Sequence, residues 1–346
     1  MLSLIEKLGI QFPIIQAPMA GGATTPELVA AVSNSGGLGS LGAAYMSADA
    51  IRKAIIKIRE LTDKPFAVNL FIPNEHHASS EQIIRSCHFI EKACPELKFK
   101  IEPKGRPYTQ SFEEQITVLV EEKIPVFSFI FGLPPMSWLS KLSTNSVTIG
   151  TATNVAEALI LEQAGIDMIV AQGSEAGGHH GTFIGKTEDS LIGLKRLLPQ
   201  LIAHLKIPVI AAGGIMNGRA IKASLMLGAS AVQMGTVFLT CKESGIHSKY
   251  KEALLATTAD DSVLTAAFSG RLARGLRNKF IDRLATHPES ILPYPIQNAM
   301  TSSMRSEAAK QNCTDFMSMW AGQSAYLCKE MTVVELMREL VEELGM

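Results

Sequence analysis

The chain has 346 residues, of which 47% are hydrophobic and 19% charged, so it can bury a large core and is not disordered overall. Its 32 basic and 33 acidic residues give a formal net charge of -1, which argues against a nucleic-acid groove or a polybasic membrane face. Five cysteines without a C-x-x-C pair favour reduced thiols over a disulfide framework. No signal peptide or membrane-spanning run is evident, and we expect a soluble, cytoplasmic protein.

Short apolar runs alternate along the chain with longer amphipathic ones, as in repeated strand–helix units. Strands are predicted at 13–18, 38–42, 66–71, 126–131, 147–150, 168–172, 209–212 and 231–234. Helices are predicted over 26–35 and 48–61 and from a cap at Asn154 to Ala164. Several strands are continuously apolar, which is typical of parallel strands covered on both faces. Eight such steps predict a (β/α)8 TIM barrel.

Two segments fall outside the eight repeats. Residues 73–112 form a polar insertion after the third strand, and residues 260–346 form a helical tail rich in Met, Ala and Ser. We expect both to build a cap over the C-terminal rim of the barrel, where loops form active sites. The barrel itself is then assigned to residues 1–72 and 113–259.

A G-x-G-x-x-G pattern at Gly37, Gly39 and Gly42 must be weighed as a dinucleotide fingerprint. That fingerprint follows a strand and opens a helix. Here a predicted helix precedes the glycines and a predicted strand follows them. The pattern therefore favours a tight helix-to-strand turn.

Glycines also follow the last two predicted strands. Gly213 and Gly214 end the strand at 209–212 and precede a helix that begins near Asn217, and Gly235 and Thr236 end the strand at 231–234. Amides without a neighbouring Cβ can approach a phosphate closely, and phosphate sites after strands seven and eight recur in such barrels. The alternative is that these glycines only permit tight turns.

The sixth strand runs into a loop that holds Glu175, His179 and His180 among four glycines. Because histidine titrates near neutrality, one of the pair could exchange a proton with a substrate carbon or hold an anion. The alternative is a solvated pair on a mobile loop. Glu175 could face the loop interior and hold it together.

These motifs, taken in order, resemble those of the nitronate monooxygenases, formerly called 2-nitropropane dioxygenases. The resemblance spans nearly the whole chain. It is carried by the segments 16–22 (QAPMAGG), 36–39 (GGLG), Asn69, 172–181 (QGSEAGGHHG), 212–214 (AGG), 233–236 (QMGT) and 320–323 (WAGQ).

The resemblance implies an FMN enzyme that oxidises alkyl nitronates with O2 to a carbonyl compound and nitrite. His179 then occupies the position of the family's catalytic histidine, holding the nitronate oxygens and acting as a general base if neutral nitroalkane is used. A homodimer is compatible with this reading, and the natural nitronate is left open. The residues expected to contact FMN are Ala17, Pro18, Met19, Asn69, Gln172, Gly177, Gly178, Gly213, Gly214, Gln233, Met234, Gly235 and Thr236.

Three other functions remain open at this stage. An FMN-dependent reductase of the enoyl-ACP or quinone type resembles the same barrel but uses NAD(P)H. A barrel isomerase or lyase, or a non-catalytic binding protein, would use the glycines for a phosphorylated ligand and would be colourless. His76, His77 and His88 lack clear ligand spacing, so we predict no metal site. In the tail, Tyr294 is a candidate wall of the substrate pocket.

Overall fold

The computed structural model describes residues 3–97 and 99–345. Its strands are β1 (Ile14–Gln16), β2 (Gly39–Gly42), β3 (Phe66–Phe71), β4 (Val126–Ile130), β5 (Val147–Ala152), β6 (Met168–Gln172), β7 (Gly178–His179), β8 (Val209–Ala212), β9 (Ala231–Met234), β10 (Ser262–Thr265) and β11 (Ala273–Leu276). Its helices are α1 (Leu4–Leu8), α2 (Pro26–Asn34), α3 (Ala48–Leu61), α4 (Ser80–Ala93), α5 (Phe112–Glu121), α6 (Met136–Leu142), α7 (Val155–Gln163), α8 (Leu194–His204), α9 (Gly218–Met226), α10 (Thr236–Leu239), α11 (Ser248–Leu255), α12 (Lys279–Ala285), α13 (Ile296–Met300), α14 (Ser302–Lys310) and α15 (Val333–Leu344).

Eight parallel strands form the predicted barrel, in the order β1-β9-β8-β6-β5-β4-β3-β2. The ring closes between β1 and the start of β2, where Leu38 donates to the carbonyl of Ile14 (3.0 Å) and accepts from the amide of Gln16 (2.9 Å). The Gln16 side chain reinforces this seam, because its Oε1 accepts from the amide of Ser40 at 2.9 Å. The prediction of a (β/α)8 barrel is confirmed, with β8 and β9 as its seventh and eighth strands.

Two apolar layers explain why the strands read as continuous hydrophobic runs. Inward-facing side chains such as Ile15, Ile149 and Ile210 fill the barrel, and Leu4 and Leu8 of α1 join the same cluster. Outward-facing residues of the strands pack against the surrounding helices in a second, larger cluster. Each strand is therefore covered on both faces, as the sequence pattern indicated.

Polar caps fix the beginnings of the barrel helices. Thr25 caps α2, which has Pro26 in its first turn, and Asn154 and Asn217 cap α7 and α9 through their side-chain oxygens. The helix α2 runs into β2 through the glycines at 36, 37 and 39. The G-x-G-x-x-G pattern is thus a helix-to-strand turn, as expected.

The last helix, α15, completes the barrel's outer ring. It packs between α9 and α2, and Leu336, Met337 and Leu340 are buried in the same apolar cluster as the barrel strands. Its Glu343 accepts a hydrogen bond from the amide of Gly218 at 2.6 Å, at the start of α9. The tail predicted as a helical cap over 260–346 therefore includes a helix that belongs with the barrel layer.

Between β9 and α15 the chain builds a separate layer over the C-terminal rim. It contains α11 to α14 and a small antiparallel sheet in the order β10-β11-β7, whose strand β7 comes from the loop after β6 and which the sequence did not predict. The insertion after β3 contributes α4, whose Ile83, Cys87 and Ile90 share an apolar cluster with Phe280 and Met300 of the C-terminal segment. We call this layer the cap. No helix in the described part of the chain is long and apolar enough to cross a membrane.

Candidate active site

A cavity of about 530 Å³ lies where the C-terminal ends of the barrel strands meet the cap. Fourteen residues singled out from the sequence line it together, although they come from five barrel strands or the loops that follow them. They are Ala17, Pro18, Met19, Asn69, Gln172, Gly177, Gly178, His179, Gly213, Gly214, Gln233, Met234, Gly235 and Thr236. A cavity of this size is within the range that holds a cofactor or a small ligand.

One part of the cavity is lined by backbone amides that have no partner. Within residues 3–97 and 99–345, the amides of Gly177, Gly213, Gly214, Gly235 and Ser324 donate no hydrogen bond. Free backbone amides on adjacent loops can bind an anion, and we call this group of amides the nest. Gly213, Gly214 and Gly235 of the nest follow β8 and β9, the seventh and eighth barrel strands, whereas Gly177 follows β6 and Ser324 lies before α15.

Close packing around the nest explains its glycines. A Cβ on Gly177 would lie 2.6 Å from the amide nitrogen of Gly322, and Gly214 has a φ of +69° that favours glycine. The segment around Gly322 is held by the Thr236 hydroxyl, which accepts from the Gly322 amide at 3.0 Å. The cap therefore closes directly on the glycine turns of the barrel.

Polar side chains of β3 and β6 reach the cavity. The Asn69 amide group donates to the hydroxyl of Ser128 at 3.0 Å. The Gln172 side chain donates to the carbonyl of His179 (3.0 Å) and accepts from the amide of Gly181 (2.7 Å). Gln172 thus fixes the loop that carries His179 as well as lining the cavity.

His179 is positioned by the cap sheet. It lies on β7 opposite Ala273 of β11, and its Nε2 lies 2.8 Å from the hydroxyl of Ser269. That hydroxyl donates to the carbonyl of Arg271 at 3.0 Å, so its oxygen is left to accept from Nε2–H. This hydrogen bonding favours the tautomer in which Nδ1 carries the lone pair.

Aromatic rings surround the imidazole of His179. The rings of Phe71, Phe131, Tyr294 and Trp320 have centroids 5.4 to 6.1 Å from it. Burial, together with the positive charges of Arg271 and Arg305, lowers the pKa of His179 to about 3. The imidazole is therefore neutral at pH 7 and brings no positive charge to a bound anion.

Two neighbours of His179 have structural partners. His180 is buried, and its Nε2 lies 2.9 Å from the carbonyl of Ser190. Both Glu175 carboxylate oxygens accept from the amide of Leu194, at 3.0 and 2.9 Å, at the start of α8. Glu175 holds its loop together, which is the role that the sequence analysis favoured.

Several residues of the cavity were not identified from the sequence. Tyr45 follows β2, Arg305 lies on α14, and Trp320, Gly322 and Ser324 lie in the segment before α15. The resemblance around residues 320–323 was the only signal for this group. No cluster of three or more metal-binding side chains occurs among the described residues.

The fold and the cavity define a TIM-barrel enzyme whose cavity is lined by the nest and by the neutral imidazole of His179. A family model described as nitronate monooxygenase matches residues 2–343. A probable nitronate monooxygenase of Staphylococcus haemolyticus (strain JCSC1435) is 43% identical over 343 residues, covering 98% of this chain and 96% of that protein.

Two solved structures support the same relationship. A nitroalkane oxidase from Streptomyces ansochromogenes superposes with a TM-score of 0.91 at 38% identity, covering 99% of this chain and 97% of that one. FabK from Thermotoga maritima superposes with a TM-score of 0.77 at 31% identity, covering 100% of this chain and 96% of that one. The chain belongs to the nitronate monooxygenase family, whose members are flavoenzymes, and it is an oxidoreductase.

Proposed function

We propose that this enzyme oxidises alkyl nitronates with O2, giving a carbonyl compound and nitrite, and that its flavin is noncovalently bound FMN. The observation that carries the proposal is the single cavity in which the free backbone amides and His179 are brought together. A flavin with one phosphate needs an anion site and an adjoining apolar slot, and the cavity lining supplies both kinds of surface.

The nest fits a phosphate group. Gly177, Gly213, Gly214 and Gly235 leave their amides free, and Ser324 adds an amide and a hydroxyl from the cap side. No lysine or arginine is needed, because several amide dipoles in a water-poor site stabilise a dianion. We assign the phosphate of FMN to these residues and to Thr236.

The strand ends fit a flat aromatic ring system. Ala17, Pro18 and Met19 supply an apolar surface at the end of β1. Asn69, Gln172 and Gln233 line the same space together with the apolar Met234, and the three side-chain amides can bond to ring heteroatoms. These assignments follow the family resemblance residue by residue.

Bound FMN would supply the chemistry, accepting electrons from the substrate and passing them to O2. The residues of this chain bind and orient the flavin and the substrate, and they shield both from water. The aromatic rings around His179 exclude water, and Ser269 holds its Nε2 so that Nδ1 is available to accept a proton. Because its pKa is low, His179 is a weak base, and a nitronate that is already deprotonated is the better substrate.

The NAD(P)H-dependent reductase that the sequence left open is the alternative to test. The purified protein should show the visible absorption bands of flavin, and anaerobic ethylnitronate should bleach them. NADH and NADPH should leave the bands unchanged over the same time. Rapid bleaching by a pyridine nucleotide would favour the reductase, and a colourless protein that cannot be reconstituted with FMN would exclude both flavin functions.

A further inference from the structure

Arg305 of α14 is a cation without a counter-charge in the wall of the cavity. Its Nη2 donates to the backbone carbonyl and to Oδ1 of Asn298, both at 2.9 Å. Its Nε is buried without an acceptor, and Nη1 makes no hydrogen bond with the described residues. Within residues 3–97 and 99–345, no carboxylate forms an ion pair with this guanidinium.

The two other arginines near His179 are already engaged. Arg271 donates from Nε to the carbonyl of His180 at 3.2 Å, and its guanidinium stacks 3.8 Å from the centre of the Phe131 ring. Arg274 donates from Nε to the carbonyl of Ser174 at 3.0 Å. Among the described residues that line the cavity, Arg305 is the one lysine or arginine.

The surroundings of Arg305 favour an anion. Burial lowers the pKa of Arg305, and the neighbouring phenols of Tyr45 and Tyr294 keep their protons and supply no negative charge. A buried guanidinium that lacks a carboxylate is costly in free energy, and a bound anion removes that cost. Burial also raises the pKa of Tyr45, which therefore keeps its proton and can donate it to a ligand.

Arg305 acts on the same space as His179. Both residues line the cavity, and the charge of Arg305 is one of the causes of the lowered pKa of the imidazole. A negative group placed between the cap and the barrel would therefore meet a cation on the cap side and a neutral ring on β7. Arg305 would then recognise the negative charge, and His179 would accept a proton.

We propose that Arg305, assisted by Tyr45, is the subsite that binds the two oxygens of the substrate's nitronate group, so that the cap selects the deprotonated form. A nitronate is planar and carries its charge on two oxygens of one nitrogen, as a carboxylate does on one carbon. A guanidinium matches that geometry, whereas a neutral nitroalkane offers it no net charge. The inference rests on the proposed function and identifies Arg305 as the residue that recognises the negative charge of the substrate.

The test compares Arg305→Met with Arg277→Met in the holoenzyme. Arg277 is an exposed cap residue that pairs with Asp282 at 2.7 Å, so its replacement removes one cap charge away from the cavity. We expect Arg305→Met to lower kcat/KM for ethylnitronate by about tenfold to a hundredfold, mainly through KM. The rate constant for neutral nitroethane should fall much less, and Arg277→Met should alter neither.

A binding measurement makes the outcome independent of turnover. Propionate is a carboxylate of similar size, and isothermal titration should show that Arg305→Met weakens its binding by a factor similar to that for nitronate. Arg305→Lys keeps the charge and should recover part of the affinity, which also covers a failure of the methionine variant to fold. Equal losses for nitronate and nitroethane, or unchanged propionate binding, would overturn the proposal.

The same titration separates this inference from the proposed function. If the wild-type enzyme binds propionate through Arg305 but does not oxidise ethylnitronate, the anion subsite stands and the nitronate function fails. If nitronate is oxidised equally well with methionine at position 305, the function stands and the subsite fails.

Discussion

At the scale of single residues, the site depends on a neutral imidazole held in one tautomer. The hydroxyl of Ser269 is buried, donates to the carbonyl of Arg271 and faces Nε2 of His179. The pKa of the imidazole is lowered by burial first and by two arginines second. His179 is therefore suited to accept a proton through Nδ1 only when the substrate still carries one.

Replacing His179 tests that role. We expect His179→Asn to keep its flavin spectrum and most of its activity on ethylnitronate, but to lose about a hundredfold to ten-thousandfold on neutral nitroethane. Because the pKa of His179 is about 3, the ring stays neutral in mildly acid solution, and the wild-type rate constant on nitroethane should not fall through titration of this residue above that pH.

Steady-state kinetics with ethylnitronate and with nitroethane, at several pH values, measures these activities. His204→Asn is the matched control, since His204 lies exposed near the end of α8 and bonds only to the carbonyl of Gln200. Full activity of His179→Asn on nitroethane would show that His179 is not the base.

Sequence reasoning identified His179 but not Arg305, and the difference is physical. His179 stands in a local run of glycines at a strand end, so its setting is visible within ten residues. Arg305 is distinguished by having no carboxylate partner among residues 3–97 and 99–345, and that depends on Asn298, Tyr45 and Tyr294 surrounding it in the folded protein. An isolated arginine in a helical segment carries no such signal.

At the scale of elements, the glycine turns after β6, β8 and β9 decide whether the nest can form. Gly177 packs against Gly322, and Gly213 and Gly214 adopt φ values of +127° and +69°. The turns must come close to one another for their amides to converge. A side chain added at Gly177 would separate the cap segment around Gly322 from the turn after β6.

Gly177→Ala should therefore weaken flavin binding. Its Cβ would lie 2.6 Å from the amide nitrogen of Gly322, so one of the two segments must move and the nest opens. We expect a lower flavin content after purification and a higher Kd for added FMN, measured by fluorescence titration. Gly105→Ala is the control, because a Cβ there meets nothing within 4 Å; equal FMN affinity in the two variants would contradict the assignment.

The barrel strands were predictable because buried parallel strands have continuous apolar sequences bounded by turns. The sheet of β7, β10 and β11 was not, because β7 has two residues and β10 is only partly buried. Its pairing joins residues far apart in sequence, such as His179 and Ala273. The fold that presents His179 could thus be predicted, but not the strand that fixes its orientation.

At the scale of the whole molecule, the cap is joined to the barrel on both sides in sequence, by β9 before it and α15 after it. The helix α15 fills the position between α9 and α2 that closes the outer layer. The composition of residues 260–346 indicated a helical tail. Its amphipathic pattern, however, does not specify the surface against which the tail packs. The division of residues into barrel and cap stays a prediction, with α15 placed in the barrel layer.

Leu340 of α15 tests how far the barrel depends on this helix. Its side chain is 1% exposed in the main core, and Leu340→Ala should lower the free energy of unfolding by about 2–5 kcal/mol. Val334 of the same helix is 61% exposed, and Val334→Ala should change the free energy of unfolding by less than about 0.5 kcal/mol. Urea unfolding followed by circular dichroism measures both, and equal effects would show that α15 is peripheral.

The position of α15 also has a consequence for biosynthesis. Translation runs from the amino end, so the ribosome makes all eight barrel strands and every element of the cap before it makes α15, which completes the outer layer of helices. Until α15 emerges, the groove between α2 and α9 is open to water, and the start of α9 lacks the carboxylate of Glu343. Loading of the coenzyme is therefore expected to follow synthesis of α15, and a nascent chain stalled before residue 333 should capture no flavin.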